Sequence, residues 1–376
     1  MGEKPLIIRH GTLVTPYGLH EQDIWIEEGK INKLVGKPLE NIDVIYRNAQ
    51  EFDASDYYIF PGFINFLPRQ ASHYDSVEAY LAAVRFALGQ GVTCLVDTIR
   101  LSSWTQESQL SQLSYLLTPH FNSPIDYAIR VNLDSSHFTK HRVRQLRDEG
   151  YRLLGITVRE SGDLKRIDWD SLYPILHQSR MSVHLHIHNH QLPRDMRKEL
   201  VDSWLHRCLY GKIRTLVEEA DPLFQRDLDS FYLITQANET TLGPVIRHLM
   251  EHWYGYLPVI CPADKFLLPL KRKEMNLELL LPIIVRLCSA NVAKAIGCYP
   301  KKGSLLPGAD ADLFLVKKEN WLTNFSLSTI LNLSEVCLPN YVMAKGNWIS
   351  LDADGCRLGI GKGKYIQKLT PYNYAI

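Results

Sequence analysis

The sequence predicts an α/β protein made of a TIM-like (β/α) barrel, either complete or lacking a strand, and a small β-sandwich. Two observations support this prediction: strand and helix patterns alternate through the middle of the chain, and short strands separated by turns dominate both ends. At 376 residues, the chain is long enough for one large barrel with an appendage. We expect the sandwich to contain residues 1–60 and 304–376, and the barrel to contain residues 61–303.

The two ends of the chain carry the sandwich pattern. Apolar runs separated by Gly-containing turns predict strands at residues 6–9, 12–15, 23–27, 31–35, 44–46 and 57–60. The same pattern of short apolar runs separated by turns predicts strands near the C-terminus, at residues 311–317, 336–343 and 348–351. Since neither set forms βαβ units, we expect the two sets to combine in one antiparallel sandwich.

The middle of the chain carries the barrel pattern. We predict strands at residues 59–65, 93–97, 126–132, 153–159, 182–188, 231–235 and 257–261. Helices are predicted between them, at residues 76–89, 105–117, 140–149, 169–180, 192–220 and 242–253. Such alternation implies a parallel sheet with right-handed crossovers, most economically a closed barrel. Only seven strands are evident, whereas a complete barrel has eight.

Composition excludes several classes of function. The chain has 42 Lys and Arg against 41 Asp and Glu, so no basic excess favours nucleic acid or a membrane surface. Its seven cysteines are scattered without a CxxC pair, which fits reduced thiols in the cytosol. The charged N-terminus does not resemble a signal peptide, and no apolar run approaches the roughly 18 residues of a membrane span. We expect a soluble cytoplasmic protein.

Several motifs in the same order along the chain resemble the amidohydrolase superfamily. Residues 6–15 (LIIRHGTLVT) and 61–65 (PGFIN) look like the entry to that family's barrel, and residues 91–97 (GVTCLVD) are similar to its second barrel strand. Residues 291–297 (NVAKAIG), 302–304 (KGS) and 307–313 (PGADADL) resemble its C-terminal signature, followed by residues 342–346 (VMAKG). Within that superfamily, the chain resembles the branch of cyclic amidohydrolases: dihydroorotase, dihydropyrimidinase and allantoinase.

This resemblance implies hydrolysis of C–N bonds in cyclic amides by one or two divalent metal ions at the barrel mouth. A metal-bound water attacks the amide carbon while the metal polarises the carbonyl. The family's ligands are an HxH pair after strand one, a carbamylated Lys on strand four, a His on each of strands five and six, and an Asp on strand eight.

This chain departs from the ligand pattern at four positions. Leu67 and Arg69 occupy the two places of the HxH pair. Thr157, or Val158 if the register shifts by one residue, stands where the Lys is expected, and Thr235 stands where the strand-six His is expected. A leucine cannot coordinate a metal, and an arginine is a fixed cation that repels one. The resemblance therefore indicates a degenerate metal site.

The predicted fifth strand keeps imidazoles. His184, His186, His188 and His190 alternate, so their side chains share one face of an extended strand, with His186 at the family's ligand position. Two such imidazoles could chelate a single ion, and zinc through His186 and His188 is the metal we would then expect. The alternative is that the earlier histidines are hydrogen-bonded in the core while the later ones lie in a loop. Under that alternative we expect no cofactor.

The last predicted strand region, residues 257–268, matches strand seven and strand eight about equally well. If it is strand eight, Pro262 or Asp264 lies near the position of the family's Asp ligand. Asp264 is then a weak candidate for a catalytic acid or base.

Four arginines follow the predicted carboxyl ends of strands one to four: Arg69, Arg100, Arg130 and Arg159. Barrel enzymes bind their ligands at this rim, and converging guanidinium groups would suit an anionic small molecule. The alternative is that some point outward and pair with carboxylates such as Glu160.

Three functions follow from these observations. The first is a pseudoenzyme, an amidohydrolase-like protein without catalysis that serves as an assembly or binding protein, either as a homo-oligomer or with a protein partner. The second is a hydrolase of cyclic amides with a residual mononuclear metal site on strand five. The third is a protein that binds an anionic metabolite at the barrel mouth.

Overall fold

The computed structural model describes residues 4–36, 49–66, 76–101, 118–188, 192–218, 231–234, 259–260, 277–319, 339–350 and 362–366. The strands in these ranges are β1 (Leu6–Arg9), β2 (Thr12–Thr15), β3 (Gly18–Glu21), β4 (Asp23–Glu27), β5 (Lys30–Val35), β6 (Gln50–Asp53), β7 (Tyr57–Pro61), β8 (Phe63–Phe66), β9 (Val92–Leu101), β10 (Asp126–Asp134), β11 (Leu153–Val158), β12 (Ser182–Ile187), β13 (Arg214–Glu218), β14 (Phe231–Ile234), β15 (Val259–Ile260), β16 (Leu313–Lys317), β17 (Tyr341–Ala344) and β18 (Asn347–Ile349).

The helices in the same ranges are α1 (Val77–Leu88), α2 (Lys140–Asp148), α3 (Ser161–Lys165), α4 (Trp169–Gln178), α5 (Arg194–Gly211), α6 (Leu277–Val285) and α7 (Asn291–Ala295). Helix α1 begins where the sequence predicts, because the Ser76 side chain caps it by accepting from the Ala79 N–H. No helix in the described part of the chain combines the length and the apolar character that a membrane crossing requires.

Strands β8 to β15 form one sheet in chain order, and each is parallel to the next. In the described ranges the sheet thus has eight strands, one more than the seven that are evident in the sequence. The missed strand, β13, lies inside the predicted helix 192–220. Helix α5 ends at Gly211, and Lys212 then adopts a left-handed conformation with φ of 49° that turns the chain into β13.

The eighth strand changes two of the strand assignments made from the sequence. Strand β14 is the seventh strand of the sheet, so Thr235 does not follow strand six. Strand β15 is the eighth, which resolves the ambiguity over residues 257–268. Residues 44–46, 105–117 and 242–253, predicted as a strand and two helices, lie outside the described residues.

Helix α7 covers the amino-terminal end of the parallel sheet. It contacts β8, β13, β14 and β15, which include both outermost strands of the sheet. Its apolar side chains share a buried cluster with residues near the starts of the strands: Ile64, Cys94, Val96, Ala128, Leu153 and Leu216 from the sheet, with Val292, Ala293 and Ala295 from α7. Alternate residues such as Leu95 and Ile99 of β9 face the other side and belong to the larger core cluster, together with residues of α1.

Two smaller sheets contain the remaining strands. One has the order β5-β4-β1-β6, and the other has the order β18-β17-β16-β7-β2-β3. Strand β16 pairs antiparallel with β7, so strands from the two ends of the chain share a sheet. They also share a core, in which Ile8 and Ile24 lie in one cluster with Leu313 and Met343. The exact domain boundaries stay a prediction.

Candidate functional site at the barrel mouth

The carboxyl ends of neighbouring strands bring polar residues to one end of the parallel sheet. Thr157 of β11 pairs in register with Asp134 of β10 and with His186 of β12. His186 pairs in turn with Glu218, the last residue of β13. Directly paired residues of parallel strands point to the same face. Asp134, Thr157 and His186 therefore form one row at this end of the sheet, which is called the mouth below.

Arg130 lies one layer deeper, inside the sheet. Its residue surface is only 6% exposed. Its Nε donates to Thr98 Oγ1 at 3.2 Å, and its Nη1 lies 3.4 Å from His184 Nδ1. The guanidinium carbon lies 5.2 Å from the ring centre of Phe66, within the range of a cation–π contact. The interior beneath the mouth thus contains a permanent positive charge.

His184 is a hydrogen-bonded core histidine. A guanidinium can only donate, so His184 Nδ1 accepts from Arg130 and the ring proton resides on Nε2. Nε2 then donates to Ser182 Oγ, 3.2 Å away. Both ring nitrogens of this buried imidazole thus have partners. This is the alternative that the sequence left open for the first histidine of the series.

The other histidines of this segment lie progressively farther out. His186 is half-buried at the end of β12, and His188 is exposed beyond it. His190 lies outside the described residues. The structure thus places His186 at the mouth, while His188 lies past the end of the strand.

Side chains fill the interior next to the strand-four position. Thr157 is buried, and its hydroxyl cannot form the carbamate that a lysine forms. Two residues earlier, Gly155 faces the Asn132 side chain. A Cβ atom at Gly155 would lie 1.4 Å from Asn132 Oδ1, so the Asn132 side chain would have to move. Asn132 therefore occupies the space beside β11.

The described arginines of the predicted anion site lie in three different environments. Arg130 is buried as described above, and Arg100 places Nη2 3.5 Å from Asp134 Oδ1. Arg159 is exposed, and its backbone N–H donates to Asp163 Oδ2. The remaining predicted site residues, Arg69, Leu67, Thr235 and Asp264, lie outside the described residues.

The comparisons with known proteins agree with the motifs. Residues 255–349 match the model of the amidohydrolase family. The fold is similar to that of a D-hydantoinase (TM-score 0.67, 16% identity, 99% of this chain and 100% of that chain). It is also similar to dihydropyrimidinase from Brevibacillus agri NCHU1002 (0.66, 16%, 98% and 100%) and to D-hydantoinase (dihydropyrimidinase) from Thermus sp. (0.67, 17%, 98% and 100%).

The resemblance to the amidohydrolase superfamily is confirmed. At these identities, the likeness to the solved structures establishes the fold. No curated protein matches the chain by sequence.

The amidohydrolase signature forms a buried ion cluster at the opposite end of the sheet. Lys302 Nζ lies 2.8 Å from Asp126 Oδ2 and 2.9 Å from Asp310 Oδ2, and it also contacts Asp312. Lys345 Nζ contacts Asp126 Oδ1 at 2.5 Å. The cluster joins the start of β10 to the loop before β16 and the turn after β17. Sequence reasoning recognised this segment as a motif but assigned no role to Lys302.

Burial and charge act against each other in this ion cluster. Burial alone would lower the pKa of Lys302, but Asp312, Asp126 and Asp310 raise it well above its ordinary value. Burial would raise the pKa of Asp126, but Lys302 and Lys345 outweigh burial and lower it. For Asp312, burial outweighs Lys302 and the pKa is raised. At neutral pH, Lys302 and Asp126 are therefore charged and hold each other in place.

Two of the predicted ligand positions, Thr157 and His186, lie within the described residues. Within the described ranges, no group of three or more His, Cys, Asp or Glu residues could hold a metal ion. At the mouth, Thr157 stands in register beside His186, and Arg130 adds a fixed positive charge below. Sequence reasoning missed β13, which ends at Glu218, because it assigned this segment to a helix. The Gly211-Lys212 stop signal could have revealed it.

Proposed function

We propose that this chain is an amidohydrolase-like pseudoenzyme, which has lost metal-dependent hydrolysis and serves as an assembly or binding protein in the cytoplasm. The observation that carries the proposal is the buried guanidinium of Arg130, hydrogen-bonded to Thr98 and His184 inside the sheet. Hydrolysis in this family depends on a metal that lowers the pKa of a bound water to about 7. A threonine at the lysine position and a fixed cation below it remove the basis for such a site.

The same proposal includes a closed barrel. Helix α7 contacts β8 as well as β13, β14 and β15, which supports the first and last strands lying close together around it. An eight-stranded parallel sheet in chain order is the arrangement that closes into a TIM-like barrel. The histidines and Arg130 would then lie inside the barrel, and access to them would come from the mouth alone.

The enzymatic test is ring opening of a hydantoin and of a dihydropyrimidine, followed by ultraviolet absorbance, with zinc or manganese added. We expect no turnover above the rate in buffer. His186→Ala is the matched variant, since His186 is the imidazole that remains at the ligand position. Turnover that requires added metal and disappears in His186→Ala would contradict the proposal and favour the residual mononuclear site.

A second candidate function is the binding of a small anion at the mouth. Arg100 favours it: its Nε is buried without a hydrogen-bond partner in the described part of the chain, while Nη2 lies at the long distance of 3.5 Å from Asp134 Oδ1. An anion with two oxygens could satisfy both edges of that guanidinium.

The test of anion binding is isothermal titration of phosphate and of a dicarboxylate, using Arg100→Met and Arg159→Met in parallel. If Arg100 binds the anion, only Arg100→Met abolishes the heat of binding. If neither anion binds the unaltered protein at millimolar concentration, this candidate is wrong.

A further inference from the structure

A cavity lies between α4 and the C-terminal half of α5, in the helical layer outside the parallel sheet. Its volume of about 550 Å³ lies within the range of about 300–1,000 Å³ that is usual for sites of small molecules. Residues of both helices line it, and none of them belongs to the mouth described above. The cavity is therefore a candidate for a second site, separate from the one at the mouth.

The floor of this cavity is a tryptophan in a fixed position. Trp169 is 5% exposed, and its Nε1 donates to the backbone oxygen of Leu164 at 2.8 Å. Its ring packs edge-on against Trp204, with ring centres 5.6 Å apart, and it stacks on Tyr173 at 5.8 Å. A ligand therefore meets a rigid apolar surface and does not have to order it on binding.

The α5 side of the cavity carries a guanidinium group that is also held in place. The guanidinium carbon of Arg207 lies 5.7 Å from the ring centre of Trp169, within the range of a cation–π contact. Burial raises the pKa of Tyr173, and the charge of Arg207 and its hydrogen bond to the Tyr173 hydroxyl oppose that rise. A guanidinium has several N–H donors, and this hydrogen bond uses only part of them. The others suit a carboxylate, which accepts two parallel hydrogen bonds from arginine.

The α4 side of the cavity carries two carboxylates, those of Asp168 and Asp170, and both residues are exposed. Asp168 caps α4 by accepting the N–H of Ser171 at Oδ1, at 3.3 Å. In the part of the chain that the structure describes, neither aspartate forms an ion pair within 4.0 Å, with Arg207 or with any other cation. Both carboxylates are therefore open to a molecule in the cavity.

Unlike charges that share a cavity without pairing suit a ligand that carries both signs. A simple anion would be attracted by Arg207 and repelled by the aspartates, and a simple cation the reverse, whereas a zwitterion is attracted on both sides. An extended chain spans about 3.3–3.6 Å per residue, so the two termini of a dipeptide lie about 7 Å apart. This separation lets them reach groups that do not touch each other, and it favours a dipeptide over a single amino acid, whose charges share one carbon atom.

The aromatic rings indicate which residue of such a dipeptide carries a large side chain. Tyr210 is 74% exposed and lies one turn after Arg207 on α5. Its ring contacts that of Tyr173, with ring centres 5.6 Å apart. A carboxylate bound by Arg207 lies beside these rings, and so does the side chain of the same ligand residue. Since aromatic side chains favour contacts with other rings, the C-terminal residue of the ligand is aromatic.

We propose that this cavity binds a dipeptide with free termini and an aromatic C-terminal residue. Its carboxylate accepts from Arg207, its ring packs on Tyr173 and Tyr210, and its ammonium group donates to Asp168 and Asp170. The inference goes beyond the function proposed above, since it depends neither on the metal site nor on the anion site at the mouth.

The first test varies the ligand, by isothermal titration of the full chain with glycylphenylalanine. We expect saturable binding with a dissociation constant below about 1 mM. Three analogues each lack one feature: the C-terminal amide lacks the carboxylate, the N-acetyl form lacks the ammonium group, and glycylalanine lacks the ring. Each should bind about 10-fold more weakly or worse. Absence of binding at about 10 mM, or equal binding of the dipeptide and its amide, would overturn the proposal.

The second test varies the protein. Arg207→Met and Asp170→Asn should each weaken glycylphenylalanine binding about 10-fold or more. Lys198→Met and Asp202→Asn are the matched controls, because both residues are exposed on α5 outside the cavity, and they should leave binding unchanged. An equal loss in a variant and its control would overturn the proposal.

The amide analogue separates a lost contact from a misfolded cavity. Because the amide has no carboxylate, Arg207→Met should bind it as well as the unaltered protein does. An equal loss of affinity for the amide and for the free dipeptide would contradict the role of Arg207. The ring-opening assay does not depend on this cavity, so failure of dipeptide binding and failure of the pseudoenzyme proposal are distinguishable.

Discussion

The two ends of the parallel sheet keep different parts of the amidohydrolase pattern. At the amino-terminal end, Lys302 lies buried among the aspartates of the family signature and joins the sheet to the smaller sheets. At the carboxyl-terminal end, Thr157 lies beside His186, and Arg130 is buried one layer below. Folding requires the first set, since an uncompensated buried charge is costly. We propose that the mouth has changed while the fold persists.

The largest effect is expected at the amino-terminal end. Lys302→Met removes the cation from the buried carboxylates of Asp126 and Asp312, and we expect it to lower the free energy of unfolding by about 3–5 kcal/mol. Lys301→Met is the matched control: the side chain of Lys301 is 58% exposed and lies 3.9 Å from Asp310. Its cost should be under about 1 kcal/mol. Urea denaturation measures the free energy of unfolding of both variants. Equal losses in the two would contradict the difference between the buried Lys302 and the exposed Lys301.

The same ion cluster predicts a pH dependence. The pKa of Asp126 is lowered from 3.8, so its contribution to stability is present above that value and is lost as the pH falls through the lower pKa of the folded state. Unfolding free energies between pH 2.5 and 7 should therefore converge for the unaltered protein and Asp126→Asn at the acid end. Exposed Asp148→Asn serves as the control and should show no such convergence. A difference independent of pH would contradict the role of Asp126.

At the carboxyl-terminal end, packing rather than charge should dominate. Gly155→Ala places a Cβ atom against Asn132 Oδ1, and we expect a loss of about 1–3 kcal/mol from overpacking. Asn132→Ala removes the obstruction, so the double variant should lose less than the sum of the two single variants. Thermal unfolding of the four proteins of this cycle measures the coupling. Strict additivity would show that Asn132 does not occupy the space beside Gly155.

The smallest expected difference in stability lies between two histidines of the segment 182–188. His184→Ala leaves the buried Arg130 and Ser182 without their imidazole partner, and it should cost about 1–3 kcal/mol. His188→Ala alters an exposed side chain and should change stability by less than about 0.5 kcal/mol. Chemical denaturation of the two variants measures these changes in the free energy of unfolding. A larger effect at His188 would mean that this residue, and not His184, is held by the fold.

The sequence predicted local structure better than it predicted long-range contacts. The bounds of β1, β2 and β4 match the prediction because apolar runs end at turns there. Strands β3 and β6 were missed because half or more of their residues are polar and their surfaces are largely exposed. Strand β13 was missed because its pattern continues that of α5 without a Pro or a polar stretch between them.

The site shows the same division. Alternation along β12 predicted that its histidines share a face, and the motif pointed to Thr157 at the lysine position. The contacts of Arg130 could not be predicted, because Thr98 and His184 are 32 and 54 residues away and meet it only through the register of the sheet. The role of Lys302 likewise depends on Asp126, which lies far away in the sequence.

The metal content of the protein tests the central claim most directly. The chain would be purified without an affinity tag, incubated with excess zinc, freed of unbound metal and analysed by mass spectrometry with plasma ionisation. We predict less than about 0.1 zinc ion per chain, since a functional family site would retain at least one. About one zinc ion per chain, lost in His186→Ala, would contradict the account.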